Sequence, residues 1–157
     1  MALRMRDPLP SLEGAVRWTN GSLPSEGELR GRPVLVHFWS ISCYVCHEVA
    51  SSVVRWRATY EPRGMAFIAI HQPRGPEELN VDNVVADALG PMGFRHRAAI
   101  DNGLRIVERF ENQFVPAYYV FDRDHRLRHF QAGDKSYDLI VAAIERVMSE
   151  VPQTAKV

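Results

Sequence analysis

The sequence predicts an α/β fold in which a central mixed β-sheet is flanked by helices on both faces. This prediction depends on segments with the composition of buried strands, which alternate along the chain with segments of helical periodicity. A tight turn that begins at Asp122 separates two late strand segments, and this hairpin adds an antiparallel part to the sheet. With 157 residues, of which 46% are hydrophobic, the chain is long enough for a single domain with a substantial core.

The first 28 residues are predicted to form an N-terminal extension to a core that spans residues 29–150. Two prolines, Pro8 and Pro10, are typical of an irregular arm. A short strand is expected over residues 15–19, because the dipeptide Asn20-Gly21 that follows it is typical of a turn.

The central strand and the first long helix are the best-defined elements. Four of the five residues at 34–38 are apolar, which predicts a buried strand. Beyond it, apolar residues recur at helical spacing, at Val49, Val53, Trp56 and Tyr60. The helix is expected to end after Tyr60, because Pro62 and Gly64 follow.

The rest of the chain continues the alternation. The predicted elements are a strand at 65–71, a helix at 77–89, a short strand at 98–100, a short helix at 104–110, and strands at 117–121 and 126–131. The apolar face of the helix at 77–89 is expected to contain Val81, Val84, Val85, Ala88 and Leu89. Ser136 is a candidate cap for a last helix with Ile140, Ala143, Ile144 and Val147 on its apolar side.

Charge and hydropathy exclude several classes of partner. The formal net charge is zero, so the chain lacks the basic footprint of a nucleic-acid-binding protein and the polybasic signal of a membrane-surface protein. No apolar run is long enough to cross a membrane. The N-terminal residues contain arginines but no apolar stretch typical of a secretory signal, so we expect a cytoplasmic location. No sequence feature indicates an oligomer, so we expect a monomer.

The two cysteines, Cys43 and Cys46, lie where the central strand gives way to the first long helix. The partial positive charge of a helix N-terminus favours a thiolate, which is the nucleophile in disulfide exchange. Two thiols three residues apart on a helical turn lie on one side, where they can bond to each other. This placement favours a redox-active dithiol over two cysteines that merely pack in the core. Cys43, at the start of the helix, is expected to be exposed.

The segment PVLVHFWSISCYVC, together with the later VPAYYVFDRDHRLRHFQAG, resembles the thioredoxin superfamily, and within it the TlpA/ResA-like thiol-disulfide oxidoreductases with their redoxin domain. The resemblance extends from about Leu29 to Met148. It implies a thioredoxin fold and a disulfide reductase in which Cys43 attacks and Cys46 resolves the mixed disulfide. It also implies a protein disulfide as substrate, an upstream thiol reductant, and no cofactor beyond the Cys43–Cys46 disulfide. In the cytoplasm the reducing direction is expected.

The resemblance further assigns residues around the dithiol. It implies a cis peptide bond before Pro116, with the backbone of Val115 available to pair with an extended substrate. Trp39, which matches a family position, and Tyr44, which is expected to be exposed, are candidate contacts to that substrate. His37 stands six residues before Cys43, where thioredoxins carry a buried aspartate, and is a candidate proton acceptor. A core histidine that is hydrogen-bonded to the backbone is the alternative.

Other interpretations of the cysteine motif remain open. The residues CYVCH match the C-x-x-C-H signal for covalent haem attachment. Cys43, Cys46 and His47, together with His71, form a possible zinc or copper site, which would make the chain a metal-binding or redox-sensing module without turnover. Tyr44-Val45 replaces the proline-containing pair that is usual in the family between the cysteines, which leaves the reduction potential open.

Overall fold

The fold is a mixed six-stranded β-sheet, seen in a computed structural model that describes residues 2–151. The strands are β1 (Arg17–Thr19), β2 (Val34–Trp39), β3 (Ala66–His71), β4 (Arg97–Ile100), β5 (Ala117–Phe121) and β6 (Leu127–Ala132). The helices are α1 (Glu26–Leu29), α2 (Tyr44–Tyr60), α3 (Val81–Leu89), α4 (Arg105–Phe110) and α5 (Tyr137–Ser149). Short 3₁₀ helices at Glu61–Arg63 and Pro76–Leu79 follow α2 and precede α3.

The strand order is β1-β4-β3-β2-β5-β6, which places β2 inside the sheet. Strand β2 runs parallel to β3 and antiparallel to β5, and the hairpin of β5 and β6 supplies the predicted antiparallel part. All six residues of β2 are buried. The near-continuous apolar run that predicted this strand follows from its position, because a strand covered on both faces has no solvent side.

Helices cover both faces of the sheet, as predicted. On one face, Leu35 and Trp39 of β2 pack in a core cluster with residues of α2, α3 and α5. On the other face, Val34, Val36 and Phe38 pack in a second cluster with residues of α4. The alternation of side chains along β2 divides its residues between the two clusters. Both cysteines belong to the first cluster, which therefore lies behind the candidate site.

The N-terminal residues contribute to the sheet. Strand β1 pairs antiparallel with β4, and Pro8 forms an isolated bridge with Arg126 beside the β5–β6 hairpin. Leu12 and Thr19 are buried. The segment that the sequence marks as an extension is thus packed against the core. No helix among residues 2–151 has both the length and the apolar character needed to cross a membrane.

Three local expectations are wrong. The predicted helix at 77–89 is broken at Asn80, whose side chain accepts a hydrogen bond from the backbone N–H of Asn83 and so starts α3 anew. Leu89, expected on the apolar face, is exposed at the last turn. Ser136 does precede α5, but its backbone lies in the left-handed region at φ 60° and its side chain makes no capping hydrogen bond.

Candidate active site at the junction of β2 and α2

Cys43 and Cys46 form a disulfide at the start of α2, with their Cα atoms 5.2 Å apart. Strand β2 ends at Trp39, and the loop that follows brings Cys43 to the N-cap position of the helix. The Sγ atom of Cys43 accepts a hydrogen bond of 3.0 Å from the backbone N–H of Cys46. Sulfur thereby replaces the side-chain oxygen of a usual N-cap, and it pairs one of the N–H groups that the first turn of a helix leaves without a backbone partner.

The expectation that Cys43 is exposed is wrong for the disulfide form. Cys43 is 4% exposed and Cys46 is 2% exposed, because both pack against the first core cluster. Tyr44, which follows Cys43 directly, is 77% exposed, as predicted. The surface next to the disulfide is therefore formed in part by an aromatic side chain that the fold does not bury.

The Val115–Pro116 peptide bond is cis, as the resemblance implied. Pro116 is buried immediately before β5, and Val115 packs against both core clusters, including the one that contains the cysteines. Asn112 holds this loop: its side-chain amide donates to the carbonyl of Phe114 at 2.8 Å and its carbonyl accepts from the hydroxyl of Tyr119 at 2.8 Å. Nothing in the sequence indicated Asn112, because both hydrogen bonds depend on the conformation of the loop between α4 and β5.

His37 lies in the core, 2% exposed, on the central strand. Its Nε2 atom lies 2.8 Å from Nε2 of His96, so one ring donates a hydrogen bond to the other. Burial lowers the pKa of His37 to about 3. A group with this pKa holds a proton poorly at neutral pH, so these contacts favour the core interpretation of His37 over the proton acceptor.

The expected contact between Trp39 and a substrate is not supported, since Trp39 is 1% exposed at the end of β2. Its ring N–H donates a hydrogen bond of 3.0 Å to Oδ2 of Asp87 on α3. Trp39 therefore acts from inside the protein, by fixing the carboxylate of a helix that packs beside α2.

His47, on the first turn of α2, links that carboxylate to the cysteine motif. Its Nε2 atom lies 2.8 Å from Oδ1 of Asp87, and its Nδ1 atom lies 2.7 Å from the carbonyl oxygen of Cys43. Partial burial by itself lowers the pKa of His47, but the hydrogen bonds to Asp87 and to the Cys43 carbonyl outweigh burial and raise the pKa above 6.5. The sequence offered His47 only as a haem or metal ligand, and nothing in it indicated Asp87.

A second polar group supports the loop before Cys43. The backbone N–H of Ile41 donates to Nε2 of His71 at 3.2 Å, and the hydroxyl of Ser42 donates to Oε2 of Glu78 at 2.7 Å. His71 and Glu78 are buried, and Oε1 of Glu78 lies 3.4 Å from Nε2 of His71. Burial lowers the pKa of His71 to about 4, so its ring is neutral and accepts from Ile41.

The histidines considered as metal ligands thus have other partners. His47 faces Asp87 and a backbone carbonyl, while His71 lies beneath the loop at Ile41. Within residues 2–151, no group of three or more histidine, cysteine, aspartate or glutamate side chains is arranged to hold a metal ion. The two sulfur atoms are bonded to each other.

Comparison with known proteins places this geometry in a family. No protein-family profile matches the chain. The chain is 34% identical over 148 residues to the thiol-disulfide oxidoreductase YkuV of Bacillus subtilis. The match covers 94% of this chain and 99% of YkuV. It is 29% identical over 150 residues to the protein DipZ of Mycobacterium bovis, of which it spans 21%.

A solved structure has the same fold. It is described as the solution structure of a thioredoxin-like protein in the oxidised form, and it superposes with a TM-score of 0.83 at 34% identity, over 96% of this chain and 100% of the other. The cis proline and the disulfide at the start of a helix that follows the central strand agree with that similarity. The chain therefore belongs to the TlpA/ResA-like thiol-disulfide oxidoreductases of the thioredoxin superfamily.

Proposed function

We propose that this thiol-disulfide oxidoreductase reduces protein disulfides, with Cys43 as the attacking thiol and Cys46 as the resolving thiol. The observation that carries these roles is the position of Cys43 Sγ, which caps α2 and accepts the N–H of Cys46. Backbone N–H groups and the helix dipole stabilise a negative charge on that sulfur. Cys46 lies one turn inside the helix and is the more deeply buried of the two.

The exchange proceeds in two steps. The Cys43 thiolate attacks one sulfur of the substrate disulfide, a bond forms between them, and the other substrate sulfur leaves as a thiolate that takes a proton from solvent. Cys46, after losing its proton, then attacks Cys43 Sγ and displaces the second substrate thiol. Two electrons pass to the substrate, and Cys43–Cys46 is left as a disulfide that an upstream thiol must reduce.

A protein partner is supported by two exposed aromatic side chains, one that follows Cys43 and one on the loop before the cis proline. Tyr44 is 77% exposed and Phe114, which precedes Val115, is 65% exposed. Aromatic side chains that a fold leaves in solvent are typical of contact surfaces. We propose that Tyr44, Val115 and Pro116 contact an extended segment of the substrate.

We also propose that the protein works in the cytoplasm and that it works there in the reducing direction.

Trapping of mixed disulfides tests the assignment of the two cysteines. The Cys46→Ser variant is expected to accumulate a mixed disulfide through Cys43 with a disulfide-containing protein such as insulin, because the second step is blocked. The matched Cys43→Ser variant is expected to accumulate none, since Cys46 is not the attacking thiol. The measurement is the yield of adduct on a non-reducing gel, with identification of the bonded cysteine by mass spectrometry.

Two results would contradict the proposal. Equal trapping by the two variants would remove the assignment of roles. Trapping through Cys46 alone would reverse it. The Cys43→Ser/Cys46→Ser double variant is the control for adducts that do not involve either thiol.

A further inference from the structure

The hydrogen-bond partners of His47 determine its protonation state. Nδ1 faces the carbonyl oxygen of Cys43 at 2.7 Å and Nε2 faces Oδ1 of Asp87 at 2.8 Å. A carbonyl oxygen and a carboxylate oxygen only accept hydrogen bonds, whereas a neutral imidazole has a single N–H. Both contacts are satisfied together only when the ring is doubly protonated and carries a positive charge.

The position of Asp87 is fixed from a second side. Its Oδ2 atom accepts the ring N–H of Trp39 at 3.0 Å, and Trp39 is buried at the end of β2. The side chains of His47 and Asp87 are 28% and 13% exposed, so solvent screens their contact less than it screens a surface ion pair. A strand, a helix and the first turn of α2 thus hold the imidazolium against the backbone of Cys43.

We propose that His47 is a positioning residue whose imidazolium, held between Asp87 and the carbonyl of Cys43, stabilises the Cys43 thiolate and so sets the reduction potential of the disulfide. This inference deepens the proposed function and rests on Cys43 as the attacking thiol. A positive charge next to a cysteine at a helix N-terminus lowers the pKa of its thiol. The charge favours the reduced form, because the disulfide carries no charge to stabilise.

The effect of His47 on the reduction potential follows from the balanced reaction of the protein with a reductant such as dithiothreitol. When dithiothreitol reduces the protein, the Cys43–Cys46 bond breaks and dithiothreitol closes to its cyclic disulfide, giving up two electrons. Dithiothreitol also loses two protons: Cys46 takes up one, and the other goes to solvent because Cys43 remains a thiolate. Stabilising this product raises the reduction potential, as it does in strongly oxidising members of the superfamily. His47 therefore makes the protein a weaker reductant than its fold and helix alone would.

Other ionisable groups lie near the cysteine motif. Arg74 carries a positive charge, and its Nε donates a hydrogen bond of 3.1 Å to Oγ of Ser42, whose hydroxyl in turn donates to Glu78. The carboxylate that faces His47 is Asp87 on α3. The same carboxylate interacts electrostatically with His71 on β3. His71 is neutral at pH 7, since burial lowers its pKa to about 4. The neighbouring carboxylate at His71 is Glu78, which binds Ser42 and the backbone of Arg74.

The first test measures the pKa of the Cys43 thiol directly. In a Cys46→Ser background, the rate of alkylation by iodoacetamide is followed against pH, which needs no substrate turnover. His47→Gln is expected to raise the pKa of Cys43 by about one unit, a tenfold loss of thiolate below that pKa, because the charge is removed. His47→Lys, which retains a positive charge, is expected to keep the wild-type value.

The second test measures the potential of the two-cysteine protein in dithiothreitol buffers. His47→Gln is expected to shift the equilibrium about tenfold toward the disulfide, which is about 30 mV more negative. Arg55→Gln is the matched control, since it removes an exposed positive charge from the same helix, about three turns from Cys43. It is expected to leave the potential at the wild-type value.

The result that overturns the inference is a His47→Gln variant with the wild-type Cys43 pKa and potential, or a His47→Lys variant that behaves as His47→Gln does. A titration of the His47 ring by NMR adds an independent check. The pKa should lie above 6.5 in the wild type and fall in Asp87→Asn, and a wild-type value at or below 6.5 overturns the inference. If the roles assigned to the two cysteines are wrong, the trapping experiment shows this independently of these measurements.

Discussion

At the scale of single residues, four histidines with the same side chain occupy two electrostatic environments. His37, His71 and His96 are buried, and none of them lies between two hydrogen-bond acceptors. Burial lowers the pKa of each. His47 is partly buried between two acceptors, which raise its pKa. The charge of a histidine near neutral pH is therefore set by the atoms that face its two nitrogens.

A double-mutant cycle tests the core interpretation of His37. His37→Leu leaves Nε2 of His96 buried without a partner and is expected to lower the free energy of unfolding by about 1–3 kcal/mol. The His37→Leu/His96→Leu variant is expected to cost less than the sum of the single substitutions, because neither polar group is then stranded. Urea unfolding at pH 7 measures all three variants.

The same variant distinguishes the core role from the proton acceptor. If His37 accepted the proton of Cys46, its loss would change the pH profile of disulfide reduction. We expect the profile of His37→Leu to match that of the wild type. A changed profile in a folded variant, or additive costs in the cycle, would contradict the core interpretation.

At the scale of elements, α3 determines how His47 is held, although it lies far from the cysteines in sequence. Asn80 ends the preceding 3₁₀ helix and caps α3 by accepting the backbone N–H of Asn83 at 3.0 Å. This restart sets the rotation of α3, which buries Val84 and Ala88 and turns Asp87 toward α2. The amphipathic pattern predicted the helix but not the break at Asn80.

Removing this cap is expected to weaken α3. Asn80→Ala should lower the free energy of unfolding by about 1 kcal/mol, the usual cost of losing a capping side chain. Asn83→Ala is the matched control: it truncates the exposed side chain but keeps the backbone N–H that Asn80 binds. Thermal or urea unfolding checks both, and equal effects of the two substitutions would show that the cap does not stabilise the helix.

At the scale of the whole molecule, the buried histidines make stability depend on pH. In the folded state His37 and His71 have pKa values of about 3 and 4, and that of His96 is well below 6.5, whereas in the unfolded chain each is near 6.5. Between pH 6.5 and pH 4 the unfolded chain binds protons that the folded protein does not. Stability therefore falls as the pH falls through this range.

The expected slope is up to about 1.4 kcal/mol per pH unit for each buried histidine below pH 6.5. His47 acts in the opposite sense: its stabilisation is complete below 6.5 and is lost as the pH rises through its folded pKa. Urea unfolding at pH 5 and pH 7 measures the difference. The His37→Leu/His96→Leu variant should lose about two thirds of the histidine contribution, and an unchanged slope would contradict the assignment.

The sequence by itself determined the class of the fold, the order of its strands and helices along the chain, and the place of the dithiol. Those features are local, since apolar periodicity, turn residues and the spacing of Cys43 and Cys46 are written in short segments. The cis peptide bond at Pro116 followed from resemblance.

Tertiary structure alone decided which side chains pair with each other near the dithiol and in the core. Asp87 reaches His47 across 40 residues, His96 reaches His37 across 59, and Glu78 reaches Ser42 across 36. It also buried Trp39 and Cys43, which the sequence had suggested for the surface. Charge and burial depend on which elements pack together, and a local pattern does not record the partner that a folded chain brings to each atom.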